Sequence, residues 1–155
     1  MSLAERIVED LKKAMKAKDR LRTGTLRMVR SRIQEAEVKR RGEKGRDYVL
    51  TDDEVTQVLS SYGKQRRDSI RSYREAGRED LAEKEASELA FLEEYLPRQL
   101  SEDEVREVVR KAIEETGASS ASDMGKVMQR VMPSVKGAAD GQVVNQIVRD
   151  LLAGG

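Results

Sequence analysis

Gly125 and Lys126, then Arg130, then Lys136, Gly137, Asp140 and Gly141 are the residues whose types and spacing could do chemistry, and that chemistry is anion recognition. On a helix with Gly125 at zero, Ser122, Lys126, Gln129 and Arg130 fall between about 40° and 140°. Met124, Val127, Met128 and Val131 fall between about 200° and 300°. Gly125 therefore edges the polar face, where its missing side chain lets a partner's backbone come close. It also costs about 1 kcal/mol relative to alanine in a helix interior. The loop "VKGAADG" adds Lys136 and two glycines, Gly137 and Gly141, that permit exposed amides. Asp140 is placed as the N-cap of a helix whose N-terminus can attract an anion. Together these residues read as a small cationic platform with accessible backbone. Packing is the bland alternative: Gly125 in a first turn or under a crossing helix, with the methionines as core.

A second basic face lies earlier. Leu26, Val29, Ile33 and Ala36 share one arc of a helix, roughly 160–240° from Arg20, while Arg20, Arg27, Arg30 and Arg41 share another, roughly 280–360°. Guanidinium groups make bidentate phosphate contacts; the alternative is a solubilising face. Between Arg20 and Arg46 ten basic residues face three acidic ones, a net +7 in a chain of net +1. Such asymmetry points to an anionic partner.

Other chemistry is thin. The chain has no histidine and no cysteine. Ser-His and Cys-His nucleophiles, thiolate metal sites and disulfides are therefore excluded, and no metal or cofactor is expected. "GKVMQRVM" and "GKQRRDS" lack the spacing and the preceding strand of a phosphate loop. Carboxylates are plentiful but stand at ion-pair spacing beside Lys and Arg. No self-sufficient catalytic centre is present.

The elements that must position these residues carry the 3.6 period almost throughout, which predicts an all-α protein of about seven helices. Leu3, Ile7, Leu11, Ala14 and Met15 mark the first. The second runs from about Asp19 to Arg41, and "GEKGRDYVL" follows as a loop. Thr51 with Glu54 forms a capping box for the third, which ends at Gly77. The fourth stops at Pro97. Ser101 with Glu104 starts the fifth, which ends at Gly117. The sixth carries Gly125 and is stopped by Pro133. The seventh bears Val143, Val144, Ile147, Val148, Leu151 and Leu152. The best boundary is "YLPRQLSEDE", giving two long helical hairpins over 1–98 and a small three-helix domain over 99–155. With one Phe, four Tyr and no Trp, the core must be aliphatic. No apolar run approaches a membrane span and no signal-peptide pattern is seen, so a cytoplasmic protein with no membrane partner is expected.

"DMGKVMQRVMPSVKGAADGQVV" resembles the signature of the YqeY-like proteins and the tail domain of GatB, the B subunit of the tRNA-dependent Asp/Glu amidotransferase. "LRMVRSRIQEAEV", "SYREAGREDLAEKEASELAFLEEYLPRQLSEDEV" and "EETGASSASDMGKVM" also resemble YqeY-family blocks; the GatB tail matches only from about residue 99. The resemblance implies a two-part helical fold whose C-terminal part is related to a tRNA-gripping domain. It carries over to Gly125, Lys126, Lys136, Gly137, Asp140 and Gly141. Gln129, Ser134 and Ala138 depart from the pattern, which often has a glycine at the first and basic residues at the other two. The amidotransferase's glutaminase and kinase-like centres have no counterpart in this chain. The implied function is a non-catalytic accessory protein that binds tRNA or another structured RNA, with translation or amidotransferase proteins as further partners. A protein-interaction adaptor, or an accessory subunit of a carbon–nitrogen ligase with glutamine as amido-N-donor, remain alternatives.

Overall fold

The computed structural model describes residues 1–154. Among them are seven α-helices, one turn of 3-10 helix and no strand: α1 Leu3–Lys16, α2 Arg20–Lys44, α3 Asp52–Glu75, α4 Glu79–Glu93, α5 Glu102–Thr116, the 3-10 turn Ala121–Asp123, α6 Met124–Val135 and α7 Gly141–Gly154. The all-α expectation holds. The chain divides into two compact units, Met1–Leu96 and Pro97–Gly155.

In the first unit α1 packs on α2 and α3 on α4, and α2 also meets α3 and α4. Ile7, Leu11, Leu26, Val29, Val55, Leu59 and Leu92 form the centre of its core. Each such side chain contributes about 1.5–3 kcal/mol on burial. Two tyrosines complete this otherwise aliphatic interior. The Arg32 and Arg66 guanidinium groups each lie over the Tyr62 ring, at 5.3 and 5.2 Å from its centre. Tyr95 donates its hydroxyl hydrogen to Asp10 at 2.6 Å.

The second unit has its own core, built on Val105 and Val109 of α5, Val127, Val131 and Val135 of α6, and Val144, Ile147, Val148 and Leu152 of α7. Three helices start with reciprocal capping boxes: Ser2 with Glu5, Thr51 with Glu54 and Ser101 with Glu104. Each satisfies two backbone amides that a helix start otherwise leaves unpaired.

Three helix ends differ from the sequence reading. α2 runs on to Lys44, through Gly42. Arg41 bonds Glu37 at 2.7 Å and the Tyr48 carbonyl at 3.0 Å, and Arg40 bonds Glu43 at 3.0 Å. These pairs hold the last turns together against the glycine. α4 stops at Glu93, short of Pro97, and the Tyr95 amide bonds back to the Leu92 carbonyl as the chain turns to bury Tyr95. Pro133 does not stop α6; it lies inside the last turn. The proline and Gln129, whose carbonyl it leaves without an amide, are both exposed to water, and burial of Val135 draws one more turn inward. The helix closes where the Lys136 amide reaches the Met132 carbonyl at 2.9 Å and Gly137 takes φ +76°.

Candidate nucleic-acid interface

Gly125 is the second residue of α6 and is exposed. A Cβ built on it would meet no heavy atom within 4 Å, so no helix crosses there. Lys126 follows, 59% exposed in its side chain, with Nζ 4.0 Å from Asp123. Asp123 is already engaged by the Ser119 and Ser120 amides at 2.9 and 3.3 Å, and these bonds hold its carboxyl below the usual value. Lys126 therefore keeps most of its charge toward solvent.

Arg130 is different. Its Nε and one terminal nitrogen both bond a single oxygen of Glu115 on α5, at 2.9 and 2.8 Å. The guanidinium is 60% exposed but its charge is matched. That fork serves the α5–α6 contact first.

Lys136, Gly137, Asp140 and Gly141 lie at the other end of α6, in the turn that leads to α7. At 1.5 Å per residue, about 15 Å separates them from Lys126. The fold thus brings the seven candidate residues into two groups, one at each end of α6. The Gly137 carbonyl accepts from the Gln99 side chain at 2.8 Å, and the Ala138 carbonyl from the Leu100 amide at 2.8 Å. The loop is tied down by the segment that opens the unit. Ala138 is buried, so a basic residue there would point into the fold. Lys136 is exposed and forms no ion pair among the described residues.

Asp140 stands where an N-cap is expected. Its carboxylate accepts from the Gln142 amide at 2.9 Å and its carbonyl from the Val144 amide at 3.0 Å. The carboxylate thus lies at the start of α7, where the sequence places it and where an anion would have to approach. The protein's own carboxylate already occupies that position and opposes a second negative charge.

On α2, Arg20, Arg27 and Arg30 are exposed and make no ion pair among the described residues. Most other arginines are paired, including Arg22 with Glu94, Arg40 with Glu54 and Arg66 with Glu85. Arg41 leaves the group, because Glu37 and the Tyr48 carbonyl hold it. Counting charge from Arg20 missed Lys13, Lys16 and Lys18. They occupy the last turn of α1 and the connection that leads to Arg20, and the run "KKAMKAKDRLR" was the available signal. A groove of about 550 Å³ between α2 and α3 is lined by Ala36, Val58, Tyr62 and the Arg40–Glu54 pair. Glu54 in that pair is held down to about 2 by the Thr51 amide, by Arg40 and by the Tyr48 hydroxyl. It is a helix cap and stays charged. No group of three His, Cys, Asp or Glu among the described residues could hold a metal ion.

Three relatives illustrate the likeness to known proteins, each named "Altered inheritance of mitochondria protein 41, mitochondrial". The one from Kluyveromyces lactis is 44% identical over 87 residues, covering 56% of this chain and 44% of the relative. The one from Clavispora lusitaniae is 32% identical over 115 residues, covering 73% and 64%. The one from Pyrenophora tritici-repentis is 34% identical over 121 residues, covering 75% and 63%. This chain thus spans about half to two thirds of their length. Their names overturn the expectation of a plain cytoplasmic protein, which rested on missing span and signal patterns that say nothing about organelles. The family model described as "Yqey-like protein" matches residues 4–152, essentially the whole chain, and the chain belongs to that family.

Proposed function

We propose that this small helical protein is a non-catalytic RNA-binding accessory factor, with the body of a tRNA as the occupant suggested by the GatB-tail resemblance. The observation that carries the reading is the open face at Gly125: a glycine on the exposed side of α6 with no packing neighbour, next to an outward lysine. The second group, at Lys136, is about 15 Å away. A single small anion cannot bridge that gap, whereas a phosphate backbone can. Arg130 supports the fold at Glu115 and serves the RNA only secondarily. Arg20, Arg27 and Arg30 supply a further basic face in the first unit.

The test is a titration of the full chain with labelled tRNA over a series of salt concentrations. Affinity should fall steeply with salt, because each phosphate contact releases counterions. Lys126→Ala and Lys136→Ala should each reduce the salt slope by about 1. Gly125→Ala should weaken binding while the protein stays folded. Binding that ignores salt, or that none of the three substitutions changes, would remove the proposal.

A further inference from the structure

We propose that the closed end of the α1–α2 hairpin docks on an anionic lipid surface. Lys13 and Lys16 lie in the last turn of α1, Lys18 in the connection, and Arg20 at the start of α2. All four are exposed and make no ion pair among the described residues. The acid in this stretch, Asp19, is the N-cap of α2 and accepts from the Arg22 amide at 3.1 Å. Its carboxylate is still a charge, but it lies 3.8 Å from the Arg22 guanidinium, which matches it within the same stretch.

Two observations point past a solubilising face. Among the described residues Lys18 is the non-glycine residue with positive φ, at +56°. Glycine or asparagine adopts that conformation at lower cost, so the turn gives up backbone energy to place an ammonium group at its tip. And large apolar side chains are exposed among the cations: Met15 at 49% and Leu21 at 38%.

This mixture fits lipid better than RNA. Three of the four charges are lysines, point charges rather than phosphate-matching forks. No aromatic ring in residues 12–22 offers a stacking surface for bases. Aliphatic side chains framed by lysines suit the boundary between headgroups and acyl chains, where anionic lipid attracts the charge and the chains receive the apolar groups. Docking of this kind is peripheral. No helix of the described residues is long and apolar enough to cross a membrane. The surface belongs to the first unit; it shares Arg20 with the secondary basic face of α2 and is otherwise separate from the Gly125 and Lys136 groups of the second unit.

The experiment is flotation of the full chain with vesicles of pure phosphatidylcholine and with vesicles containing 30% phosphatidylglycerol. Binding should require phosphatidylglycerol and fall in high salt. Lys18→Gly, which relaxes the backbone and cannot unfold the turn, should weaken it about fivefold, the share of one lysine near such a surface. Lys13→Glu with Lys16→Glu should weaken it more than twentyfold. Met15→Gln with Leu21→Gln should weaken it severalfold, with circular dichroism unchanged. Equal binding to both vesicles, or indifference to either the lysine or the apolar substitutions, overturns the proposal. So does loss of tRNA affinity in the lysine variants with vesicle binding intact, which would assign the tip to nucleic acid.

Discussion

Two glycines in the second unit show how one residue type answers different demands. Gly117 closes α5 at φ +68°, a conformation that costs an L side chain about 1–2 kcal/mol. Gly125 sits in ordinary helical backbone facing open space. Gly117→Ala should therefore destabilise the protein by about 1–2 kcal/mol. Gly125→Ala should leave stability unchanged or raise it by up to about 1 kcal/mol, with the smaller value expected this close to the helix start. Urea melts of the two variants check both signs. A destabilised Gly125→Ala would mean that packing retains the glycine, and the RNA reading would then rest on the lysines. The position of Gly125 on the polar edge was legible from helical periodicity. The matching of Arg130 by Glu115 was not, because fifteen residues and a turn separate them and only the α5–α6 packing brings them together.

At the scale of elements, the boxes at Thr51 and Ser101 were legible because all their partners lie within four residues, while the Ser2–Glu5 box of the same form escaped the sequence reading. Glu54 and Glu104 are each held down to about 2 from an ordinary 4.5. For Glu54 the Thr51 amide is the main cause; for Glu104 it is Arg98, followed by the Ser101 amide. A carboxylate whose folded value is depressed stabilises the fold fully above its unfolded value. That contribution disappears as pH falls toward the folded value. Stability should thus decline between about pH 4.5 and 2. Glu54→Gln and Glu104→Gln should each lower stability at pH 7 and flatten the decline in that window. Denaturant melts at pH 7, 4 and 3 measure both effects. The ends of α2, α4 and α6 were less legible. Gly42 and Pro133 are breakers by local propensity, but the Arg40 and Arg41 pairs and the burial of Val135 overrode them. Tertiary contacts of this kind leave no short-range trace.

For the whole molecule, the question is whether each unit carries enough of its own stabilisation. The buried cluster of the first unit spans Ile7 to Tyr95, and that of the second Val105 to Leu152, with no residue in common. The second unit has about 59 residues by its bounds, near the size at which a domain is marginal without disulfides or metal. It compensates with a dense set of branched side chains. Val109, Val127, Val131, Val135, Val144 and Val148 are each fully buried. Their stiff rotamers lose little side-chain entropy on packing. The helix start at Ser101 is satisfied locally, and the loop before α7 is held by Gln99 and Leu100, which belong to the same unit. Residues 97–155 expressed alone should therefore give a helical circular dichroism spectrum and one cooperative melt. A fragment starting at residue 102 should be less stable, because the Ser101 cap and the Gln99 and Leu100 bonds to the α6–α7 loop are lost together. Removing a serine cap alone costs about 1 kcal/mol. If the 97–155 fragment shows only coil, its valine core is insufficient and the second unit depends on the rest of the chain. If it folds and the shorter fragment melts at the same temperature, the loop bonds at Gly137 and Ala138 contribute nothing, and the backbone beside Lys136 is not held by them.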